Sequence, residues 1–265
     1  MLKFVFRSIR RFFKNLKWLC QARLIRHRLK MKDVAPLKDD GVTYMVLIPH
    51  ADDEWIGCSR IIRKMKKVIL VDMDMDGRDS PSIHSKRKEE LQQISKKFNH
   101  QLLFLKKNKS DELFQLVRTE NPDYILVPFF YDWHQEHIMV MDLLEQSFKN
   151  EILESNILMY QVSVPIGTRW INRVMPMSKH DLKEKWNVFK EVYKTQLHLP
   201  CFRFAMHEHV NGFLSKSFAA EIFVQMTFKE WRNQKANVIE KALKDKEKIL
   251  ANLNNVKNIR AIVER

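Results

Sequence analysis

Glycine is scarce in this 265-residue chain: five residues, at 41, 57, 77, 167 and 212. No two stand close enough to build G-x-G-x-x-G or a phosphate-cradling P-loop, so neither nucleotide fingerprint is present. Cysteine is scarcer. Cys20, Cys58 and Cys201 are odd in number and far apart, with no C-x-x-C pair for zinc or redox work and no disulfide framework. That usage points to a reducing compartment. No apolar run approaches the ~20 residues that a membrane span requires. Acidic residues are absent from positions 1–32, which hold 11 Lys/Arg.

That last absence explains most of the formal charge of +15. Residues 1–32 carry +11 and residues 228–265 carry +5, leaving residues 33–227 at −1. A surplus of this size first suggests nucleic acid or an anionic membrane. The near-neutral middle argues against a nucleic-acid-binding body. The sequence divides accordingly into a basic amphipathic segment at 1–33, a core domain at 34–227 and a basic helical tail at 228–265. Hydrophobic residues make up 45% of the chain, enough for a full core in the middle region.

The first twenty residues alternate with helical period. Leu2, Val5, Phe6, Ile9, Phe12, Phe13, Leu16, Leu19 and Cys20 are apolar; Lys3, Arg7, Arg10, Lys14 and Lys17 are basic. Aromatics opposite Lys/Arg suit a helix lying in an anionic membrane interface, giving a cytoplasmic protein held peripherally at a membrane. A mitochondrial presequence has the same composition, and a docked helix with a solvated basic face explains it more plainly. A signal peptide would need a 7–15-residue apolar core, which is missing. Residues 232–252 read as a solvated terminal helix.

From residue 42 strand and helix patterns alternate. Strands are expected at Val42–Ile48, Val68–Met73, Leu102–Leu105, Tyr124–Val127 and Asn156–Val162. Helices fall between them at Glu54–Lys67, Ser82–Phe98, Ser110–Thr119 (Ser110 as its N-cap) and Glu136–Phe148. This is an α/β pattern, a Rossmann-like parallel sheet flanked by helices. In the common 3-2-1-4-5 order, strands 1 and 4 are neighbours where the order reverses, and ligands bind beyond their carboxyl ends. The loops after Ile48 and Val127 are therefore the places for chemistry.

The first loop reads Pro49-His50-Ala51-Asp52-Asp53-Glu54-Trp55-Ile56-Gly57 and the second Asp132-Trp133-His134-Gln135-Glu136-His137. Crowded carboxylates at the exit of an apolar strand need cations or donors to meet them. His, Asp and a second His supply a borderline metal with three ligands and leave a fourth position open, as in catalytic zinc sites. Adjacent carboxylates can divide the work, one binding metal and the other taking a proton from the attacking water. A further histidine can steady an oxyanion or protonate a leaving amine. Asp52-Asp53-Glu54 alone would equally suit the N-terminal turn of a helix.

These motifs resemble the LmbE-like/PIG-L N-acetylglucosamine deacetylases, zinc hydrolases on a Rossmann-like fold. Their (A/P)-H-P-D-D-E-x-x-G motif matches Pro49–Gly57 with Ala51 in place of proline, and their H-P-D-H motif resembles His134-Gln135-Glu136-His137, with both histidines kept. The resemblance implies His50, Asp53 and His137 as zinc ligands, Asp52 as general base, and His134 facing the oxyanion or leaving group. Iron(II) suits the same ligands. Arg87–Glu90 resembles the family's R-x-x-E, which implies that Arg87 contacts substrate. Lys185–Gln196, ending Tyr193-Lys194-Thr195-Gln196, resembles K-x(n)-Y-x-S-Q, and Ala220–Phe223 resembles A-E-x-F. The likeness spans about residues 42–224. It departs where the family carries T-x-G-E and this chain has Met75-Asp76-Gly77-Arg78. The implied substrate is an N-acetyl-amino-sugar, on a glycan or lipid-linked saccharide, and the implied partners include no nucleic acid.

Two rivals keep the same residues: a metal-dependent phosphohydrolase or nuclease, and a non-catalytic membrane-attached subunit. His84, His180, His198, His207 and His209 have no comparable setting and read as surface or core histidines. Asp72–Gly77 imitates the start of a calcium loop, but the twelfth position is Ile83 rather than a glutamate. The aromatics Phe129, Phe130, Tyr131 and Trp133 suit either sugar stacking or a hydrophobic wall.

Overall fold

A computed structural model of the chain describes residues 2–29, 32–75, 80–106 and 109–264, with the side chains of residues 2–5, 7 and 8 outside the described set. A long helix, α1 (Leu2–Arg28), comes first. Two residues of strand β1 (Ala35–Pro36) follow, and then the alternating series. It runs β2 (Thr43–Ile48), α2 (Asp53–Lys64), β3 (Lys67–Asp72), α3 (Pro81–Phe98), β4 (Gln101–Phe104), α4 (Lys109–Glu120), β5 (Tyr124–Pro128), α5 (Gln135–Ser147) and β6 (Asn156–Tyr160). Ser80 stands at the N-cap position of α3 without a side-chain capping bond, and Pro81 takes the first helical position. Ser110 does not cap α4: it lies inside the first turn, its Oγ 3.3 Å from that of Ser147.

Strands β4-β3-β2-β5-β6 are parallel and adjacent in that order, so the reversal falls between β2 and β5 as expected. Successive residues of β2 serve opposite faces. Tyr44, Val46 and Ile48 join one core cluster, Met45 and Leu47 the other. Helices cover both faces, which is why these strands are near-continuous apolar runs.

The sheet is not wholly parallel, however. It holds eight strands in the order β1-β7-β8-β6-β5-β2-β3-β4. β7 (Arg173–Met177) and β8 (Ala219–Met226) are separated by α6 (Lys179–Val192) and α7 (Cys201–Asn211). β8 runs antiparallel between β6 and β7, and β1 pairs parallel with β7.

Residues 232–252 are not a solvated tail. α8 (Phe228–Lys244), α9 (Lys246–Asn252) and α10 (Val256–Val263) bury Trp231, Ile239, Ala242, Ile249, Val256, Ile259 and Ile262 in the core. The C-terminal half of α1 docks against this end of the chain. Trp18 is 3% exposed and donates its indole N–H to Asn254 O at 2.8 Å, while Gln21 bonds Asn255 and the Val256 N–H. Arg26 donates to the carbonyls of His209, Ser217 and Phe218. The earlier turns carry Phe6, Ile9, Phe12, Phe13 and Leu16, all exposed, beside exposed Arg10, Arg11, Lys14 and Lys17. Among the described residues no helix is long and apolar enough to cross a membrane.

Candidate active site

The loop leaving β2 turns into α2 so tightly that Asp53 already lies in the helix, and His50 O accepts the Asp53 N–H at 3.1 Å. Gly57 lets α2 lie close on β6. A Cβ there would stand 2.3 Å from the Tyr160 ring and 2.9 Å from Gln161 O. Asp52 takes φ 138° and ψ −26°, a region that residues with a side chain seldom occupy, at a cost of about 1–3 kcal/mol.

From the other loop, His134 sits at the N-terminus of α5 and His137 follows in its first turn. The two loops meet on Asp53. Its Oδ2 is 3.2 Å from His50 Nδ1 and 3.1 Å from His137 Nε2. One donor atom from each of His50, Asp53 and His137 can be chosen so that all three lie within 4.8 Å of one another. Asp53 and His137 are buried, and His50 is half-buried at the opening. The donor set fits a divalent ion of the zinc or iron(II) kind: two imidazoles, one carboxylate, and a side open to a cleft. Asp132 Oδ2 stands 3.2 Å from His137 Nδ1, where a carboxylate would orient the imidazole if it held a metal.

The electrostatics of the cluster are those of a cation site. Burial works against charge on Asp53, yet His137 and His50 hold its carboxyl far below the ordinary range. Burial likewise opposes charge on His137, but Asp53 and Asp132 push the imidazole up to about 10. His134 differs. Burial lowers it, and the neighbouring imidazoles add to that against the pull of Asp132 and Asp53. Its ring stacks on Trp133 at 3.7 Å between centroids.

These groups open into a cleft of about 290 Å³ whose lining includes His50, Asp52, Asp53, His134, His137 and Arg87, so all six expected residues share one cavity. Arg87 reaches it from α3, and the Gln196 amide, with its oxygen turned to the guanidinium, accepts from Nε at 2.9 Å and from Nη2. His198 also lines the cleft. His207 is instead buried in the core, His209 bonds Phe218 O, and His84 bonds Asp74. Phe129, Phe130 and Tyr131 are buried in the core and are not among the residues that line the cleft. Asp76, Gly77 and Arg78 lie outside the described residues.

Behind the cleft, the weaker motif matches meet one another. Glu90 accepts from the Thr195 N–H at 2.8 Å and from its hydroxyl at 2.6 Å. Glu54 accepts from the Tyr193 hydroxyl. Lys185, wholly buried, bonds Ile56 O, Glu208 and Glu221. Sequence reading did not reach Asp132 as an orienting group or Glu54 as a partner of Tyr193. For Asp132 a signal was present, a carboxylate in the same short loop as two histidines.

No protein-family profile matches the sequence, and no curated protein matches it. Solved structures do. The conserved protein TT1542 from Thermus thermophilus aligns with a TM-score of 0.54 at 18% identity, over 69% of this chain and 94% of that one. N,N'-diacetylchitobiose deacetylase from Pyrococcus horikoshii gives 0.54 at 16%, over 70% and 84%. The zinc-inhibited form of teicoplanin deacetylase Orf2 gives 0.52 at 11%, over 69% and 97%. The chain shares the fold of these proteins. The aligned share, about seven-tenths of the chain, is close to the span over which the motifs resemble the deacetylase family.

Proposed function

We propose that the chain is a metal-dependent N-deacetylase of the LmbE-like/PIG-L kind, removing acetyl from an N-acetyl-amino-sugar. The observation that carries this is the convergence of His50, Asp53 and His137 on the floor of a cleft that Asp52 and His134 also line. The deacetylases among the fold neighbours support the same reading. His50, Asp53 and His137 would hold zinc or iron(II), with Asp132 orienting His137. A bound divalent ion supplies Lewis-acid polarisation of the amide carbonyl and makes water more acidic. Asp52 takes the proton of the attacking water, and His134 donates toward the oxyanion or the departing amine. The carbon–nitrogen bond breaks, giving acetate and a free amino sugar. Arg87, braced by Gln196, meets the sugar at the rim.

The projecting half of α1 supports action at an anionic membrane surface, on a lipid-linked or membrane-assembled glycan, with the protein peripheral to the cytoplasmic face. Its exposed phenylalanines and adjoining Lys/Arg are what such an interface takes up.

The test is acetate release across a panel of N-acetylated sugars, nucleotide sugars and lipid-linked sugars, with and without chelator. Release that stops on chelation and returns with zinc or iron(II) is the expected result. Stoichiometric metal with no acetate from any member would sink the proposal.

A further inference from the structure

Asp52 holds a backbone conformation that its own side chain disfavours, and the chain grips it from both sides. Its carbonyl accepts from the N–H groups of Trp55 and Ile56, at 3.1 and 2.9 Å. Its own N–H donates to Glu54 Oε2 at 3.0 Å. Glu54 has no exposed surface, and its second oxygen, Oε1, accepts from the hydroxyl of Tyr193, which is equally buried. Tyr193 ends α6, and its carbonyl takes the Gln196 N–H at 3.1 Å, so the segment that steadies Glu54 also carries the partners of Arg87 and Glu90.

A buried carboxylate is costly unless its oxygens are engaged. Here they engage one backbone amide on the cleft side and one phenol on the core side. We infer that Glu54, held by Tyr193, is a positioning residue that fixes the Asp52 backbone and so aims the Asp52 carboxylate into the cleft. This rests on the proposed role of Asp52 as general base. Without the clamp the 51–52 peptide is free to relax to an ordinary conformation, which swings the carboxylate away from the reacting centre while leaving Asp53, on the helix, in place. A misplacement of about 1 Å at such a group costs on the order of a hundredfold in rate.

Three variants test it: Glu54→Leu, Glu54→Gln and Tyr193→Phe, in the full chain. Glutamine preserves the clamp, because its amide oxygen can accept from the Asp52 N–H and its amide N–H can donate to the phenol. The first readout is hydrogen exchange of the Asp52 amide. We expect it to rise about tenfold or more in Glu54→Leu, a few-fold in Tyr193→Phe, and little in Glu54→Gln. The second is zinc bound per chain, expected unchanged in all three. The third is turnover of N,N'-diacetylchitobiose and N-acetylglucosamine. There kcat should fall about a hundredfold in Glu54→Leu with KM within about twofold, and Glu54→Gln should recover most of it.

Unchanged Asp52 exchange in both Glu54→Leu and Tyr193→Phe overturns the inference. So does loss of zinc in Glu54→Leu, which would make Glu54 a support of the metal cluster instead. A Glu54→Gln variant as impaired as Glu54→Leu overturns it as well. If Glu54→Leu does not fold, the exchange of Tyr193→Phe against Glu54→Gln decides. If the unsubstituted chain hydrolyses neither sugar, the catalytic reading loses its support while the exchange arm still decides whether Glu54 fixes the loop.

Discussion

Two buried charge clusters meet α2, one at Asp53 in its first turn and one farther along at Ile56 O, Ser59 and the Arg60 N–H. Around Lys185 every group finds its partner in the chain. The ammonium meets Glu208, Glu221 and Ile56 O; Glu221 also takes the Ser59 hydroxyl and the Arg60 N–H, and Glu208 the Trp186 indole. Burial works against the charge on Lys185, and its two carboxylates outweigh it. Around Asp53, His137 is as well buried, but with half-buried His50 the donors converge on one side that faces a cleft. Burial and charge density do not separate the two. What separates them is whether the donors have closed on one another. A closed cluster is structural; an open one facing a cavity asks for a ligand.

Breaking the open cluster should have the largest effect. His137→Ala is expected to lose bound zinc and to lower acetate release by about a thousandfold; metal analysis and kinetics check both. Breaking the closed cluster should do the reverse. Lys185→Met leaves Glu208 and Glu221 buried without their cation and should cost about 3–5 kcal/mol of stability by denaturant melting, with zinc per folded chain unchanged. If Lys185→Met instead removes zinc and spares stability, the contrast fails. A finer cut is Asp132→Asn, which keeps the shape but weakens the grip on His137. Zinc affinity should fall about 10–100-fold by competition titration.

The smallest expected effect concerns α1. Deleting residues 1–32 would uncover the core, because Trp18 and Ala22 are buried. Phe12→Ser with Phe13→Ser touches only exposed positions. It should weaken binding to anionic liposomes by about tenfold or more, leaving hydrolysis of a soluble sugar intact. Liposome binding as strong as before would return α1 to a purely structural role.

Much of this was legible before any coordinates. Five strands follow from apolar runs alternating with helical periods, and their order, with the reversal between β2 and β5, is the common one for such an alternation. That the residues of the two motif loops would meet follows from their place at the carboxyl ends of β2 and β5, while the choice of His50, Asp53 and His137 among them comes from the family resemblance. What escaped had long-range causes. β7 carries Pro176 in its interior, a residue that argues against a strand. The antiparallel placement of β8 depends on where two intervening helices return the chain. Residues 228–265 look solvated by composition, because their Lys and Glu mask a buried stripe running from Trp231 to Ile262. Glu54 and Tyr193 are 139 positions apart, and no local pattern announces their bond.

The docking of α1 has a bearing on how the chain is made. Trp18 and Gln21 take their partners from residues 254–256, some 234–236 positions later. At about 5–20 residues per second, that interval is roughly ten to fifty seconds of translation. For most of it the partners of Trp18 and Gln21 do not yet exist, although α7 and the Arg26 acceptors at 209–218 come earlier. The apolar face of α1, from Phe6 to Trp18, is then available to whatever binds a basic amphipathic helix first. The part of the seat that holds Trp18 and Gln21 is complete only when residues 254–256 arrive, so the order of synthesis gives other binders access to that stretch first.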